Sequence, residues 1–231
     1  MSKVEPIRDQ REIQRIEDEL LRIGTEKSLR MFCMFETGIY LGLRIGDMLK
    51  LRVGDIRGKQ DFTFFPEKTS HRAGRDRYRA KKITVTIAPE LRRMVREMYD
   101  GYDDNDFMFE SRQTDSGRRR PISRGTAWRD MKEIQQMIGL KYPIGCHTLR
   151  KTFGYHVYQD RHDIAWLQSW FQHSSPAITL IYIGIADDEK KAVTDHMPYR
   201  NRGRLNYASA QNQKKFFLAR KTKENKGRKR S

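Results

Sequence analysis

Six side chains of this 231-residue sequence combine the groups needed to exchange a phosphodiester bond. Two arginines can each bind phosphate oxygens through a planar, permanently charged fork. A lysine and two histidines can move protons, and a tyrosine can act as a nucleophile. The six residues are Arg44, Lys68, His147, Arg150, His173 and Tyr182. Such a set could move a phosphoryl group without a metal ion.

The spacing of four of these residues favours a shared site. His147 and Arg150 are three residues apart at a predicted helix start, so one anion could meet both side chains. Tyr182 follows His173 by nine residues, and Ser175-Pro176 between them is a favourable start for the helix that carries the tyrosine. Each residue alone also has an ordinary interpretation, since most arginines are surface groups and most tyrosines pack in cores.

The elements that must position these residues are mostly helical in their apolar spacing, with one strand-like interval. Predicted helices lie around residues 9–23, then up to a turn at Gly42-Leu43-Arg44, from Pro89, from Ser123 to Gly139, and around 147–158, 163–171, 176–184 and 187–197. Strands are predicted at residues 61–65 and 82–87, and together they form a predicted hairpin. A polar loop is predicted at residues 111–123, and Trp128 is expected to face the core with Met131. The predicted fold class is mainly α with a small antiparallel β-hairpin (α+β).

The connection between the two predicted strands is strongly basic. It carries Lys68 and five candidate DNA-binding residues, Arg72, Arg75, Arg77, Arg79 and Lys81. This strip could follow a nucleic-acid groove. The alternative is a solvated loop, which is the usual state of a run of charges.

Charge and composition favour a nucleic-acid partner. Lys and Arg total 47 against 30 Asp and Glu, a formal net charge of +17, and residues 200–231 alone carry twelve basic residues and one acidic residue. We predict one domain over residues 1–199 and a basic tail over 200–231, disordered from about Lys221. With two cysteines, no signal-like start and no long apolar run, we expect a soluble, cytoplasmic, nucleoid-associated protein and no membrane partner.

Several common hydrolase patterns are missing from the sequence. The acidic residues form no spaced set typical of a metal-dependent nuclease, and the chain has neither a Gly-rich phosphate loop nor a G-x-S-x-G elbow. The sequence therefore favours chemistry without a metal, a nucleotide or another cofactor.

Three segments together resemble the tyrosine recombinases of the phage integrase family. Residues 42–51, Gly-Leu-Arg-Ile-Gly-Asp-Met-Leu-Lys-Leu, resemble the first box, with Arg44 in its turn and Asp47 three residues later. Residues 147–153 are similar to the His-x-Leu-Arg box, and residues 173–182 resemble the box that ends in the nucleophile. Lys68 occupies the hairpin position of the family's catalytic lysine. The resemblance covers about residues 10 to 190 and implies a catalytic domain of the tyrosine recombinase and type IB topoisomerase fold.

The resemblance implies a role for each residue. Tyr182 would attack a DNA phosphate to form a 3′-phosphotyrosyl bond, while Arg44 and Arg150 hold the non-bridging oxygens. Lys68 would protonate the leaving 5′-oxygen. His147 would handle the tyrosine proton, His173 would add a hydrogen bond to the phosphate, and Asp47 would orient its neighbours. Exchanging one phosphodiester for another conserves bond energy, so neither ATP nor a metal is implied.

The resemblance also implies an assembly, with two departures from the usual pattern. A homotetramer on double-stranded DNA is implied, with a monomer or weak oligomer in its absence. Gln172 stands where the family usually has glycine. The first box begins only about 40 residues into the sequence, so no separate N-terminal DNA-binding domain is expected within it; the sequence is either that of a minimal, catalytic-domain-only recombinase or part of a longer protein. Two alternatives remain open: relaxation of supercoils by a type IB topoisomerase, and a non-catalytic DNA-binding regulator with this fold.

Overall fold

The computed structural model of the chain describes residues 4–67, 82–115 and 118–195. In chain order the elements are α1 (Gln10–Ile23), α2 (Glu26–Leu41), α3 (Ile45–Met48), α4 (Val53–Ile56), β1 (Asp61–Phe64), β2 (Ile83–Thr86), α5 (Pro89–Met98), β3 (Glu110–Asp115), β4 (Arg118–Pro121), α6 (Arg124–Ile138), α7 (Cys146–Arg161), α8 (Ile164–Phe171), α9 (Pro176–Ile183) and α10 (Ile185–Asp195). The predicted fold class, mainly helical with a small antiparallel component, is confirmed.

The helix ends follow from capping residues in the sequence. Ser123 and Ser175 each accept a backbone N–H from the residue three positions later, as expected of N-caps. Gly42 and Gly139 end α2 and α6 in the left-handed conformation, with φ of 59° and 70°. These four predicted helix ends are therefore confirmed, because local chemistry sets them, whereas the helix predicted around residues 147–158 extends to Arg161.

The described residues form two antiparallel hairpins, where the sequence predicted one. Strands β1 and β2 pair with Phe62 opposite Val85, both buried, which confirms the predicted hairpin. The polar loop predicted for residues 111–123 is wrong, because β3 pairs with β4 over most of that interval. Its residues, Glu110 to Pro121, are polar and basic without apolar alternation, so backbone pairing had no periodic signal in the sequence.

The inward orientation predicted for Trp128 is also wrong. Its side chain is 53% exposed, whereas Ala127, Met131 and Ile134 are fully buried. Those three follow the helical spacing of four and three residues, and Trp128 lies one residue, or about 100°, around the helix from Ala127. The buried stripe of α6 therefore leaves the tryptophan outside it.

Helix α2 is the centre of the main core and brings two segments of the site together. It packs against α1, α5 and α7. Gly38 permits the closest approach, because a Cβ atom there would lie 2.5 Å from Leu149 of α7. As a result, the first turn of α7 lies beside the Gly42 turn that ends α2.

A second apolar cluster supports the C-terminal part of the site. Leu167, Phe171, Ile183 and Ile185 are buried together, and α8 and α9 pack against α7. One compact unit extends to Ala186, and a second begins at Asp187. The predicted domain boundary at residue 199 lies outside the described residues. None of the described helices is both long and apolar enough to span a bilayer.

Candidate active site

The turn after α2 presents Arg44. Gly42 is left-handed, and any side chain at this position would overlap the ring of Phe153. Arg44 then adopts an extended conformation as the N-cap of α3, as the predicted helix junction requires. Its Nη2 donates a hydrogen bond of 3.2 Å to the carbonyl oxygen of Phe171. The half-buried guanidinium is thus held at the C-terminal end of α8.

Arg150 reaches the same place from the first turns of α7. The side chain is buried, its Nη1 donates to the Gly42 carbonyl at 2.5 Å, and its Nη2 donates to the Phe171 carbonyl at 3.2 Å. The guanidinium carbon also lies 4.3 Å from the centroid of the Phe171 ring. Burial lowers the pKa of Arg150 to about 10, so the group is still charged at neutral pH.

Tyr182 is paired with His147. The tyrosine Oη lies 3.2 Å from His147 Nδ1, and the two rings meet edge to face. Desolvation raises the pKa of Tyr182, opposed by the charges of Arg150 and Arg44. Desolvation, then the charges of Arg150, Lys151 and Arg44, lowers the pKa of His147. At neutral pH the phenol therefore keeps its proton, and the neutral imidazole can accept it.

The chain reversal at Gln172 positions His173. Gln172 is left-handed with φ of 55°, and its N–H donates to the Ser169 carbonyl. The His173 N–H donates to the Gln168 carbonyl at 3.0 Å, which completes the helix-ending pattern that usually has glycine at the left-handed position. Glutamine therefore occupies a left-handed position that glycine adopts more readily.

This turn brings His173 into the site. Its Nδ1 lies 3.0 Å from Thr179 Oγ1, and its ring centroid lies 5.1 Å from that of Tyr182. Arg44, His147, Arg150, His173 and Tyr182 are therefore brought together around the end of α8, although their sequence positions span most of the chain.

Asp47 orients the chain next to the candidate lysine. This buried carboxylate accepts the backbone N–H of Glu67 at 2.8 Å. The Glu67 side chain in turn forms an ion pair with Arg124, and lies 3.6 Å from Lys50. The backbone is thus anchored directly before Lys68. Lys68 itself and the basic strip of Arg72, Arg75, Arg77, Arg79 and Lys81 lie outside the described residues.

Two neighbours of the site were not assigned a role from the sequence. Phe171 contacts both arginines, and its ring packs against those of His173 and Tyr182. Lys151 is buried, donates to the Val4 carbonyl at 2.8 Å, and lies 5.3 Å from the Tyr182 ring centroid. Lys151 lies within the 147–153 segment and Phe171 lies two residues before the 173–182 segment, but their contacts depend on how these segments pack.

The arrangement can activate a nucleophile and stabilise an anion at the same place. A protonated phenol faces a neutral imidazole, and two guanidinium groups converge beside them. Preorganised cations of this kind stabilise charge that develops in a transition state. Within residues 4–67, 82–115 and 118–195, no group of three or more His, Cys, Asp or Glu side chains could hold a metal ion.

The sequence is similar to known integrases and recombinases. The sequence profile of the phage integrase family matches residues 8–189. Probable integrase/recombinase YoeC of Bacillus subtilis is 39% identical over 192 residues, which cover 83% of this chain and 96% of YoeC. A tyrosine recombinase of Pseudothermotoga lettingae is 28% identical over 81% of this chain. The chain spans 63% of that relative and about half of several others.

The fold is similar to those of solved recombinases. The XerA recombinase structure aligns with a TM-score of 0.60 at 23% identity, covering 86% of this chain and 66% of XerA. The XerH site-specific recombinase bound to its difH substrate aligns with a TM-score of 0.55 at 18% identity, covering 78% of this chain and 51% of XerH. At these identities the similarity establishes the fold alone.

Proposed function

This chain belongs to the phage integrase family, and from that premise we propose that it is a tyrosine recombinase that cuts and rejoins double-stranded DNA at specific sites. The observation that carries the proposal is the 3.2 Å contact between Tyr182 Oη and His147 Nδ1, beside two converging guanidinium groups. A weak nucleophile, a proton acceptor and an anion-binding pair are the minimum set for attack on a phosphodiester.

In the first step Tyr182 attacks the phosphorus atom of the scissile phosphate. The phenol proton passes to His147 Nδ1, because the imidazole is the acceptor already in contact with it. A covalent 3′-phosphotyrosyl bond forms, and the bond to the 5′-oxygen breaks. The lowered pKa of His147 keeps the imidazole neutral, and therefore able to accept the proton, at physiological pH.

Charge builds on the non-bridging oxygens while this bond forms. We assign Arg44 and Arg150 to those oxygens, since both guanidinium groups already point at one place. His173 would add a further hydrogen bond from the Tyr182 side. Lys68 would protonate the leaving 5′-oxygen, with the preceding backbone anchored by Asp47.

In the second step a 5′-hydroxyl from another strand attacks the phosphotyrosyl bond and releases Tyr182. One ester replaces another in each step, so the exchange needs no external energy source. Strand exchange between two duplexes requires several active sites on the DNA. We propose that four copies of the protein assemble on the DNA and associate only weakly in its absence. The DNA-bound XerH structure supports the choice of partner. Action on chromosomal DNA would place the protein in the cytoplasm, at the nucleoid.

A nicked suicide substrate tests this function. Attack near the nick releases a short fragment that diffuses away, so the wild-type protein should accumulate a covalent protein–DNA adduct that survives denaturation. Tyr182→Phe should form none, because the nucleophilic oxygen is missing. Candidate duplexes come from sequencing DNA that is captured covalently by the protein.

Two controls test whether adduct formation depends on Tyr182 in particular and whether it needs a metal ion. Tyr155→Phe removes a phenol from the same α7–α9 region outside the site and should leave adduct formation unchanged. EDTA should also leave it unchanged. If Tyr182→Phe formed as much adduct as the wild type, the assignment of Tyr182 as the nucleophile would be wrong. If a monomer relaxed supercoiled DNA that lacks paired sites, the topoisomerase alternative would be favoured.

A further inference from the structure

Phe171 occupies the centre of the site without any group that could react. Its side chain is fully buried, and its ring centroid lies 5.4 Å from those of both His173 and Tyr182. Its carbonyl oxygen and its ring both contact arginines of the site. A residue that touches four candidate catalytic groups can set their relative positions.

The carbonyl oxygen is available because of where it lies in α8. The last four carbonyls of a helix have no partner within the helix, and α8 ends at Phe171. The turn at Gln172 satisfies the carbonyls of Gln168 and Ser169. The Phe171 carbonyl instead accepts Nη2 of Arg44 and Nη2 of Arg150, each at 3.2 Å.

The Phe171 carbonyl oxygen offsets the repulsion between the two guanidinium groups. Two guanidinium groups held side by side repel each other when no phosphate is bound. A helix C-terminus carries partial negative charge, which attracts cations. The aromatic ring 4.3 Å from the Arg150 guanidinium carbon adds a cation–π attraction on one face. The two cations can thus stay together before DNA arrives.

We propose that Phe171 is a positioning residue: its carbonyl oxygen holds Arg44 and Arg150 together, and its ring holds the Arg150 guanidinium, in a phosphate-ready arrangement in the free protein. The inference rests on the proposed function for its use in catalysis. The arrangement itself is a property of the free protein and can be tested without DNA.

The matched variants are Phe171→Leu and Phe109→Leu. Both remove a ring that is fully buried, but Phe109 belongs to the main core and not to the cluster around α8. Phe171→Met, which is unbranched and adapts to irregular gaps, serves as a second variant if leucine prevents folding. All variants are first compared by thermal unfolding so that stability losses are matched.

The first measurement is nitrogen NMR of the arginine guanidinium groups in the free protein. Hydrogen bonds and ring contact should slow rotation of the Arg150 guanidinium and give separate Nη signals in the wild type and in Phe109→Leu. Phe171→Leu removes the ring contact and keeps the backbone carbonyls, so rotation should become faster and the two signals should move toward merging. Signals that stay as far apart in Phe171→Leu and Phe171→Met as in the wild type would overturn the inference, whatever the protein does to DNA.

The second measurement is the affinity for the adduct-forming duplex with either a phosphodiester or a neutral methylphosphonate at the scissile position, in a Tyr182→Phe background. Neutralisation should weaken binding about tenfold with Phe171 intact, since a charge-assisted contact is lost. In Phe171→Leu the same neutralisation should weaken binding only about twofold. In Phe109→Leu it should weaken binding about tenfold, as it does with the wild-type residue at that position. An equal loss in all three would overturn the role of Phe171. Absence of any adduct-forming duplex would instead count against the proposed function, and the NMR result would still decide the positioning.

Discussion

At the scale of single residues, the site depends on a backbone atom as much as on side chains. Arg44, Arg150, His173 and Tyr182 are identified by residue type and spacing, and all four contact Phe171. Sequence reasoning cannot foresee a contact made by a carbonyl oxygen, since every residue has one. Sequence reasoning did single out Tyr182 and His147, which lie in hydrogen-bond contact and to which we assign the roles of proton donor and proton acceptor.

The His147 assignment predicts the acid limb of the pH profile. The imidazole must be neutral to accept the phenol proton, and its pKa is lowered from the ordinary value of 6.5. The rate of adduct formation by wild type should therefore fall only below pH 6.5 and be insensitive to pH just above it. His147→Gln should lose this limb and slow the reaction by about 10²–10⁴-fold.

His156→Gln is the control for this profile. That histidine lies on the same helix, but its Nε2 is 2.9 Å from the Ile7 carbonyl oxygen. The variant should keep the wild-type acid limb in single-turnover assays from pH 5 to 8. Persistence of the limb in His147→Gln would assign the titration to another group.

At the scale of elements, glycines and caps determine how closely helices approach and where they end. Gly38 lets α7 approach α2, and Gly42 allows the turn that carries Arg44. The caps were readable from the sequence because they act within a few residues. The β3–β4 hairpin and the exposure of Trp128 could not be predicted from the sequence. Residues distant in the chain determine which strands pair and which side of a helix is buried.

The contact between α1 and α2 predicts a pH-dependent stability. Burial, with the hydrogen bond and charge of Glu17, raises the pKa of Glu36 from 4.5 to about 8. Between these values the folded protein holds a proton that the unfolded chain has lost, so stability should fall as pH rises through this window. Glu36→Gln should have little effect near pH 4.5 and stabilise by up to about 5 kcal/mol above pH 8, at about 1.4 kcal/mol for each pH unit between 4.5 and 8.

Urea unfolding at pH 4.5 and 8.5 measures this difference. Asp18→Asn, which alters an exposed carboxylate of α1, is the control and should change stability little at either pH. An equal effect of Glu36→Gln at both pH values would show that folding leaves the pKa of Glu36 unchanged.

At the scale of the whole molecule, charge is distributed unevenly along the chain. The formal net charge of the chain is +17. Residues 200–231 hold twelve basic residues and one acidic residue, and therefore carry +11 of it. Phosphate contacts by such a segment add affinity that depends strongly on salt and little on sequence. We propose that this segment adds sequence-independent affinity for DNA to the affinity that the rest of the chain provides.

Deletion of residues 220–231 tests that role. The segment holds seven basic residues, so its loss should weaken DNA binding and reduce the slope of log affinity against log salt by roughly two to six units. Adduct formation at saturating DNA should be unchanged, because the deletion leaves the site intact. Fluorescence anisotropy across a salt series measures both quantities, and an unchanged affinity and slope would refute the proposal.

The sequence by itself determined the helix-rich fold class, the ends of the helices around the site, and a set of residues with the chemistry of the phage integrase family. These follow from short-range rules and from residue identity. Only the tertiary structure decided that the α8 C-terminus gathers both arginines, that Asp47 anchors the backbone before Lys68, and that Glu36 lies against Glu17. Such contacts join atoms that are distant in the chain or are common to every residue. Packing selects them, and no local pattern encodes them.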